Sequence, residues 1–110
     1  AMKLQAYGTF DLVHASNLLC RLPNPTQFIE SLPSVLNAQG RVILATPFSW
    51  LEEYTDKKHW PKGDSWQWLK ELMERHFKLI DVADEPFVIR EHIRKYQWCV
   101  SRVSVWELRA

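Results

Sequence analysis

The chain has 110 residues, a length that accommodates one small domain with its own hydrophobic core. Its 14 lysines and arginines against 13 acidic residues give a formal net charge of +1, which removes the electrostatic reason to expect nucleic acid or an anionic membrane as a partner. Because the sequence has no apolar run of about 18 residues and no charged-then-apolar leader, we expect a soluble, cytoplasmic protein. Cys20 and Cys99 lack metal-ligand spacing, which predicts reduced structural thiols and no metal site.

The first part of the chain alternates between strand and helix patterns. Residues Phe10 to Ala15 predict a short strand. A helix is predicted next, with Asn24 as its N-cap and Pro25 in the first turn, where a missing N–H does no harm. Pro33 cannot lie deep in a helix without removing a hydrogen bond, so we expect a break there, followed by a short turn. The run Arg41 to Ala45 then predicts a second strand that is buried on both faces.

The second part continues the alternation. A polar loop over Asp56 to Asp64 precedes a helix whose apolar stripe has the spacing i, i+3, i+4, i+7: Leu69, Leu72, Met73 and His76. A third strand is predicted from Phe77 to about Val82, with a turn over Ala83 to Pro86. The last strand, Gln97 to Leu108, is apolar on both faces and should therefore be central in the sheet.

This order of elements is that of the second half of a doubly wound α/β sheet that ends in a hairpin. Ligands of open parallel sheets bind beyond the carboxyl ends of the strands. The stretch from Thr46 to Thr55, which follows the second strand, carries two carboxylates and two large aromatic residues. It is therefore a candidate site, although Trp50 and Tyr54 would equally well cover the end of the sheet.

Two segments, FDLVHASNLLCRLPNP and GRVILATP, together with the terminal hairpin, resemble the C-terminal half of a class I S-adenosylmethionine-dependent methyltransferase. The resemblance implies that residues 1–110 form a single domain with a partial Rossmann-like sheet. Its strands would correspond to the family's fourth, fifth, seventh and sixth, the seventh lying antiparallel. S-adenosylmethionine is the implied cofactor. The family's Gly-x-Gly-x-Gly loop and acidic ribose-binding residue have no counterpart in this sequence, so we expect the isolated chain to bind the cofactor weakly or not at all.

A narrower resemblance rests on the segments TPFSWLEEYT, PFVIREHIRKYQW and SVW. They are similar to the methyltransferase module of ovothiol-making enzymes, which methylates an imidazole nitrogen of mercaptohistidine. This implies N-methylation of an imidazole or amino-acid-type small molecule. The alternative is a non-catalytic, methyltransferase-derived interaction module. The expected partners are a small-molecule substrate and either a missing N-terminal half or a second copy of the chain, which would pair at the exposed edge of the strand Phe10 to Ala15.

Methyl transfer requires the acceptor to be positioned and desolvated, so positioning residues are the expected apparatus. The resemblance implies cofactor contacts at Ser16 and Asn17, and catalytic roles for Asn17 and Tyr54. A helix cap is an equally good interpretation of Ser16 and Asn17. His14 is interpreted as a packed histidine inside the strand.

Substrate binding is predicted for two groups of polar and aromatic residues: Trp50, Glu52 and Glu53 after the second strand, and Arg90, His92 and Arg94 further along the chain. Acceptor oxygens in the first group would orient an amino group or imidazole, and guanidinium groups in the second would clamp a carboxylate. A solvated loop and a charged hairpin surface are the respective alternatives. We expect Glu53, Tyr54, Arg90 and His92 to line one concavity at the carboxyl ends of the first two strands.

Overall fold

A computed structural model describes residues 7–109. Four strands and two α-helices follow one another in the order β1, α1, β2, α2, β3, β4, with these bounds: β1 Phe10–Ser16, α1 Pro25–Val35, β2 Leu36–Thr46, α2 Ser65–Glu74, β3 Phe77–His92 and β4 Lys95–Leu108. Residues 1–6 and 110, which the single-domain prediction includes, lie outside the described residues.

The four strands form one mixed sheet in the order β1-β2-β4-β3. β1 and β2 are parallel, and β4 is antiparallel to both of its neighbours. The predicted α/β fold, with a partial Rossmann-like sheet and a central antiparallel last strand, is confirmed. β4 can be central because its aromatic and β-branched residues fit a strand that is covered on both sides.

The core lies between one face of the sheet and the two helices. Residues that pair in register point to the same face, and the pairs Val13 with Val42 and Val42 with Trp106 define the helix-covered one. Its fully buried members on the sheet and helices include Val42, Leu44, Trp106, Phe28, Ile29, Leu32, Leu69 and Met73. α1 has 11 residues and α2 has 10, and neither is long and apolar enough to cross a membrane.

The opposite face of the sheet is covered by neither helix of the described residues. Leu12 and Ile43 lie on it, on β1 and β2, and Val105 pairs with Ile43 from β4. Leu12 is 53% exposed on β1, which is an edge strand of the sheet. This face therefore presents an apolar surface next to the exposed edge of β1.

Helix α1 begins as predicted and ends differently. The side chain of Asn24 accepts a hydrogen bond from the N–H of Gln27, which confirms it as the N-cap. The expected break at Pro33 is wrong, because the helix continues through it to Val35. Pro33 removes one hydrogen bond near the C-terminal end, whereas Leu32 and Val35 on either side of it are fully buried in the core. Apolar burial therefore outweighs the local cost of the proline.

Strand β3 has 16 residues and is therefore more than twice as long as the pattern indicated. The predicted turn over Ala83 to Pro86 is wrong, since β3 runs unbroken to His92 and pairs with β4 along its length. Pro86 is tolerated because β3 is an edge strand, where a missing N–H on the outer side breaks no ladder bond. The chain reverses instead at Ile93 and Arg94.

Helix α2 is capped by Asp64, whose carboxylate accepts a hydrogen bond from the N–H of Trp66. Leu69 and Met73 are fully buried, as their spacing predicts. His76 is not part of the buried stripe, because the helix ends at Glu74 and His76 is exposed in the connection to β3.

Candidate active site at the carboxyl ends of the parallel strands

The carboxyl ends of β1 and β2 lie side by side, and Asn17 stands directly after β1. Its backbone is left-handed, with φ 55°, a conformation that asparagine tolerates better than most residues. The N–H of Asn17 donates a hydrogen bond of 2.6 Å to the carbonyl oxygen of Ala45. Its side-chain oxygen accepts one of 2.9 Å from the hydroxyl of Ser101. Asn17 is therefore fixed from both β2 and β4.

A buried threonine organises the end of β2. The hydroxyl of Thr46 lies 3.0 Å from the Sγ of Cys20, and it accepts a hydrogen bond of 3.1 Å from the N–H of Phe48. Phe48 also has a left-handed backbone, with φ 56°. Through these contacts Thr46 holds the loop after β1 and the loop after β2 in fixed positions relative to each other.

The β3–β4 hairpin extends beyond this edge of the sheet. β2 pairs with β4 only as far as Thr46 with Arg102, whereas β3 and β4 remain paired to His92 with Lys95. At roughly 3.3 Å per residue the hairpin projects on the order of 20 Å past the end of β2. It thus provides a third structural segment beside the two loops.

A cavity of about 180 Å³ lies between these three segments, and we call it the strand-end cavity. Its lining comes from the loop after β1 (Asn17, Cys20, Arg21), the loop after β2 (Pro47, Ser49, Leu51) and the hairpin (Phe87, Ile89, Gln97, Cys99). Apolar walls with a few polar groups are the usual composition of a small-molecule site, and its place beyond parallel strands is the usual location.

A second cavity, of about 260 Å³, lies on the sheet face that the helices leave uncovered. It shares Asn17 and Phe87 with the strand-end cavity, and Ser16 and His14 also line it. Asn17 therefore lies between the two cavities. A molecule in one would be close to a molecule in the other.

The structure brings only part of the predicted site together. Ser16 and Asn17 line the cavities as described. Trp50 is half-buried: its Nε1–H donates a hydrogen bond of 3.1 Å to the Ser65 hydroxyl, and its ring lies edge-on to Trp68, with centroids 5.7 Å apart. These contacts attach the loop after β2 to helix α2.

The two glutamates and Tyr54 lie on the outside of that loop. Glu52 forms an ion pair of 2.8 Å with Lys57, and the hydrogen bond that Lys57 donates to this carboxylate raises the pKa of Lys57. Glu53 is exposed. The ring of Tyr54 packs against the guanidinium of Arg21, whose Cζ is 4.4 Å from the ring centroid. Tyr54 thus touches a cavity residue, although it does not line the cavity itself.

The predicted clamp on the hairpin lies elsewhere. Arg90, His92 and Arg94 are exposed near its tip, and the N–H of Arg94 donates to the Nδ1 of His92 at 3.2 Å. Neither cavity described above is lined by Arg90, His92, Glu53 or Tyr54, so the expected common concavity is not formed there. The reason is the continuation of β3 past Pro86, which carries the basic residues away from the ends of β1 and β2.

Several lining residues were not predicted, and a pattern in the sequence could have indicated those on the hairpin. Phe87 pairs with Cys99 and Ile89 with Gln97, so all four point to one face of a regular two-stranded ribbon. If the alternation of faces along the strand had been continued through Pro86, these four residues would have been predicted to lie together. Cys20 and Arg21 follow β1 closely, but nothing in their local pattern distinguishes them from surface residues.

Comparisons with known proteins agree with this architecture. A family model described as a methyltransferase domain matches residues 2–86. The chain belongs to this methyltransferase domain family. No protein of curated function matches the sequence.

Solved structures resemble the chain in fold. One, described as "Conversion of a Disulfide Bond into a Thioacetal Group during Echinomycin Biosynthesis", has a TM-score of 0.66 at 10% identity and covers 97% of this chain and 52% of its own. A methyltransferase from Pyrococcus furiosus has a TM-score of 0.42 at 17% identity, over 89% of this chain and 41% of its own. The present chain therefore spans about half the length of these solved chains.

Proposed function

We propose that the chain is the acceptor-binding part of an S-adenosylmethionine-dependent methyltransferase that methylates a ring nitrogen of an imidazole or other amino-acid-type small molecule. The observation that carries the proposal is the strand-end cavity, enclosed by three segments beyond the parallel strands and bordered by Asn17. Membership of a methyltransferase domain family supports the reaction class. The resemblance of the segments after β2 and along the hairpin to the ovothiol module favours the imidazole.

Two residues fit as contacts for the cofactor, which supplies an electrophilic methyl group when bound. The hydroxyl of Ser16 and the amide nitrogen of Asn17 have no hydrogen-bond partner within residues 7–109, and both residues line the cavity on the uncovered sheet face. The sequence has three glycines, none of them in a Gly-x-Gly-x-Gly loop. The chain therefore accounts for only part of the contacts that a molecule of this size needs.

The residues of the chain would act mainly by positioning. Because a neutral ring nitrogen would accept the methyl group through its own lone pair, without a general base, the residues of the chain would orient the ring and exclude water. The apolar walls of the strand-end cavity serve both purposes, and Asn17 can orient a ring heteroatom through its free amide hydrogens. The seven residues predicted from the sequence for substrate binding or catalysis on the loop and hairpin line neither cavity, and among them Tyr54 acts through Arg21, which its ring contacts: Trp50, Glu52, Glu53, Tyr54, Arg90, His92 and Arg94.

The experiment combines binding with product detection on the intact chain. Calorimetric titration with S-adenosylmethionine should give a dissociation constant weaker than about ten micromolar, since several polar contacts at about 1 kcal/mol each are missing. At millimolar cofactor, mass spectrometry should detect methylated 5-mercaptohistidine, and less of it with the variant Asn17→Ala. Failure to transfer a methyl group to any imidazole acceptor at these concentrations would contradict the proposal.

A second candidate, a non-catalytic interaction module, is favoured by one observation. The hairpin face opposite the strand-end cavity carries three exposed apolar side chains: Val88 at 59%, Tyr96 at 57% and Trp98 at 67%. Clusters of this kind are typical of protein contact surfaces. Absence of methyl transfer, combined with loss of self-association in Trp98→Ser, would support this alternative.

A further inference from the structure

We infer that the strand-end cavity binds a single aromatic or heteroaromatic ring that carries a carboxylate, and that Arg21 binds the carboxylate. The inference deepens the proposed function and rests on it for the role of the bound molecule as methyl acceptor. Its structural basis consists of the size of the cavity, the unneutralised charge of Arg21 and the packing that orients its guanidinium.

The size of the cavity limits the ligand to one ring. Its volume is about 180 Å³, and an apolar cavity of about 150 Å³ is known to accommodate benzene. Phe87, Ile89, Pro47 and Leu51 provide apolar walls for the flat body of such a molecule. A single ring therefore matches the volume of the cavity.

The charge of the cavity indicates an anion. Arg21 is the only charged residue in the lining. Three other arginines of the described residues have carboxylate partners, namely Arg41, Arg75 and Arg102, whereas the guanidinium of Arg21 forms no hydrogen bond or ion pair within residues 7–109. A guanidinium binds a carboxylate through two parallel N–H···O bonds, so the free side chain is well suited to this group.

Tyr54 positions this guanidinium. The Cζ of Arg21 lies over its ring, 4.4 Å from the centroid, and the guanidinium N–H groups have no hydrogen-bond partner within residues 7–109. The neighbouring Thr55 is fully buried and donates a hydrogen bond to the carbonyl of Leu22, the residue after Arg21. The loop that carries Tyr54 is thus attached to the segment that carries Arg21, and Tyr54 is a positioning residue.

The other polar groups of the cavity are neutral. Asn17, Ser49 and Gln97 can exchange hydrogen bonds with a ring heteroatom, but they cannot neutralise a second charge on the ligand. The lining therefore matches a monocyclic acid with one anionic substituent, and it disfavours a dianion or a ligand with a cationic ring.

The test compares two probes of the same shape, phenylacetate and its neutral amide phenylacetamide. Both are titrated into the intact chain and followed by amide chemical shifts. The acid should bind about tenfold more tightly than the amide, because a charge-assisted pair replaces a neutral one. Arg21→Gln should reduce the ratio to about one by weakening the binding of the acid. Arg21→Lys should retain part of the ratio, and Tyr54→Leu should lower it without abolishing it.

Control variants show whether the preference for the acid comes from Arg21 or from the overall charge of the protein. Arg75→Gln removes an arginine from the helix surface and should leave the ratio unchanged. The inference would be overturned if the two probes bound equally well or if neither bound at millimolar concentration. It would also be overturned if the preference for the acid survived Arg21→Gln or disappeared in Arg90→Gln. Methyl transfer to a neutral imidazole with no preference for the acid would overturn it and leave the proposed function intact. A preference for the acid that depends on Arg21, without any methyl transfer, would support the inference about the cavity and contradict the proposed function.

Discussion

The hydroxyl of Ser101 donates a hydrogen bond to the side-chain oxygen of Asn17 across 84 residues of sequence. Ser101 is buried in β4 at the point where the hairpin leaves the sheet, and Asn17 ends β1 in a left-handed conformation. One contact therefore connects the end of the first strand to the segment that walls the strand-end cavity.

We expect Asn17→Ala to lower the free energy of unfolding by about 2 kcal/mol. About half comes from the lost hydrogen bond and about half from the left-handed backbone, which costs alanine more than asparagine because alanine lacks the short polar side chain that eases it. Asn17→Gly should cost only the first part, and urea unfolding measures both. Gln39→Gly is the control, because exposed Gln39 has a similar φ of 61° and should be stabilised by glycine. An Asn17→Gly variant that gains as much stability as Gln39→Gly would mean that the contact with Ser101 contributes nothing.

Thr46→Val should destabilise the chain by about 2 kcal/mol, although the two side chains have nearly the same shape. The substitution leaves the N–H of Phe48 and the thiol of Cys20 without the oxygen that both contact, and Thr46 itself is only 1% exposed. Thr46→Ser is the matched control: it keeps the hydroxyl and should cost about 1 kcal/mol for the lost methyl group. If valine proves less harmful than serine at this position, packing rather than hydrogen bonding holds the two loops.

The ion pair between Asp84 and Arg102 predicts a specific acid dependence of stability. The hydrogen bond from Arg102 holds the pKa of Asp84 below its usual value of 3.8. Because the folded chain binds this proton less tightly than the unfolded chain, the pair stabilises the fold above pH 3.8, and this contribution disappears as the pH falls through the lower folded pKa.

Denaturant midpoints of the wild type and Asp84→Asn, measured from pH 6 to about pH 2, test this dependence. The variant should be less stable at pH 6, and the two curves should converge in acid. Asp56→Asn serves as the control, since the Asp56 side chain makes no hydrogen bond or ion pair within the described residues. A difference that stays constant over the whole range would contradict the role of the pair.

We predict that the chain self-associates through β1. Within residues 7–109 this strand is an edge of the sheet, and Leu12 is largely exposed beside it. No lysine or proline of Phe10–Ser16 protects the edge, whereas β3 at the other edge carries Pro86 and several charges. Sedimentation should show a dimer at micromolar concentration, with an interface of at least about 1,000 Å². Leu12→Lys should give a monomer, and a monomeric wild type would exclude this interface.

Local patterns predicted the elements best where a single physical requirement decides them. Asn24 and Asp64 are N-caps because helix termini need an acceptor, and the apolar run around Val42 is a buried strand. Two of the errors concern prolines. Pro33 and Pro86 remove a local hydrogen bond, but whether that matters depends on core packing in one case and on the edge position of β3 in the other. Neither fact is local in sequence.

The site was predictable only in part for the same reason. The rule that ligands lie beyond the ends of parallel strands pointed to the loop after β2, three residues of which line the strand-end cavity, whereas Ser16 and Asn17 were predicted from the family resemblance. Arg21 gave no signal, because its availability depends on the ring of Tyr54, on the absence of a nearby carboxylate and on a hairpin long enough to enclose the space. Such a constellation exists only in three dimensions.

The projecting hairpin also produces a gradient of protection from amide hydrogen exchange along β4. Between Arg102 and the tip, β4 forms backbone hydrogen bonds only with β3 in the described part of the chain. Much of the apolar surface of this part is already exposed to water, so unfolding that starts at the tip exposes little additional apolar surface. Amide hydrogen exchange should therefore be fast near Tyr96, slower at Cys99 and slowest at Trp106. A molecule that fills the strand-end cavity would slow exchange at Cys99 far more than at Trp106. Occupancy of the site can thus be read as a lengthening of exchange times along one strand, without knowledge of the reaction.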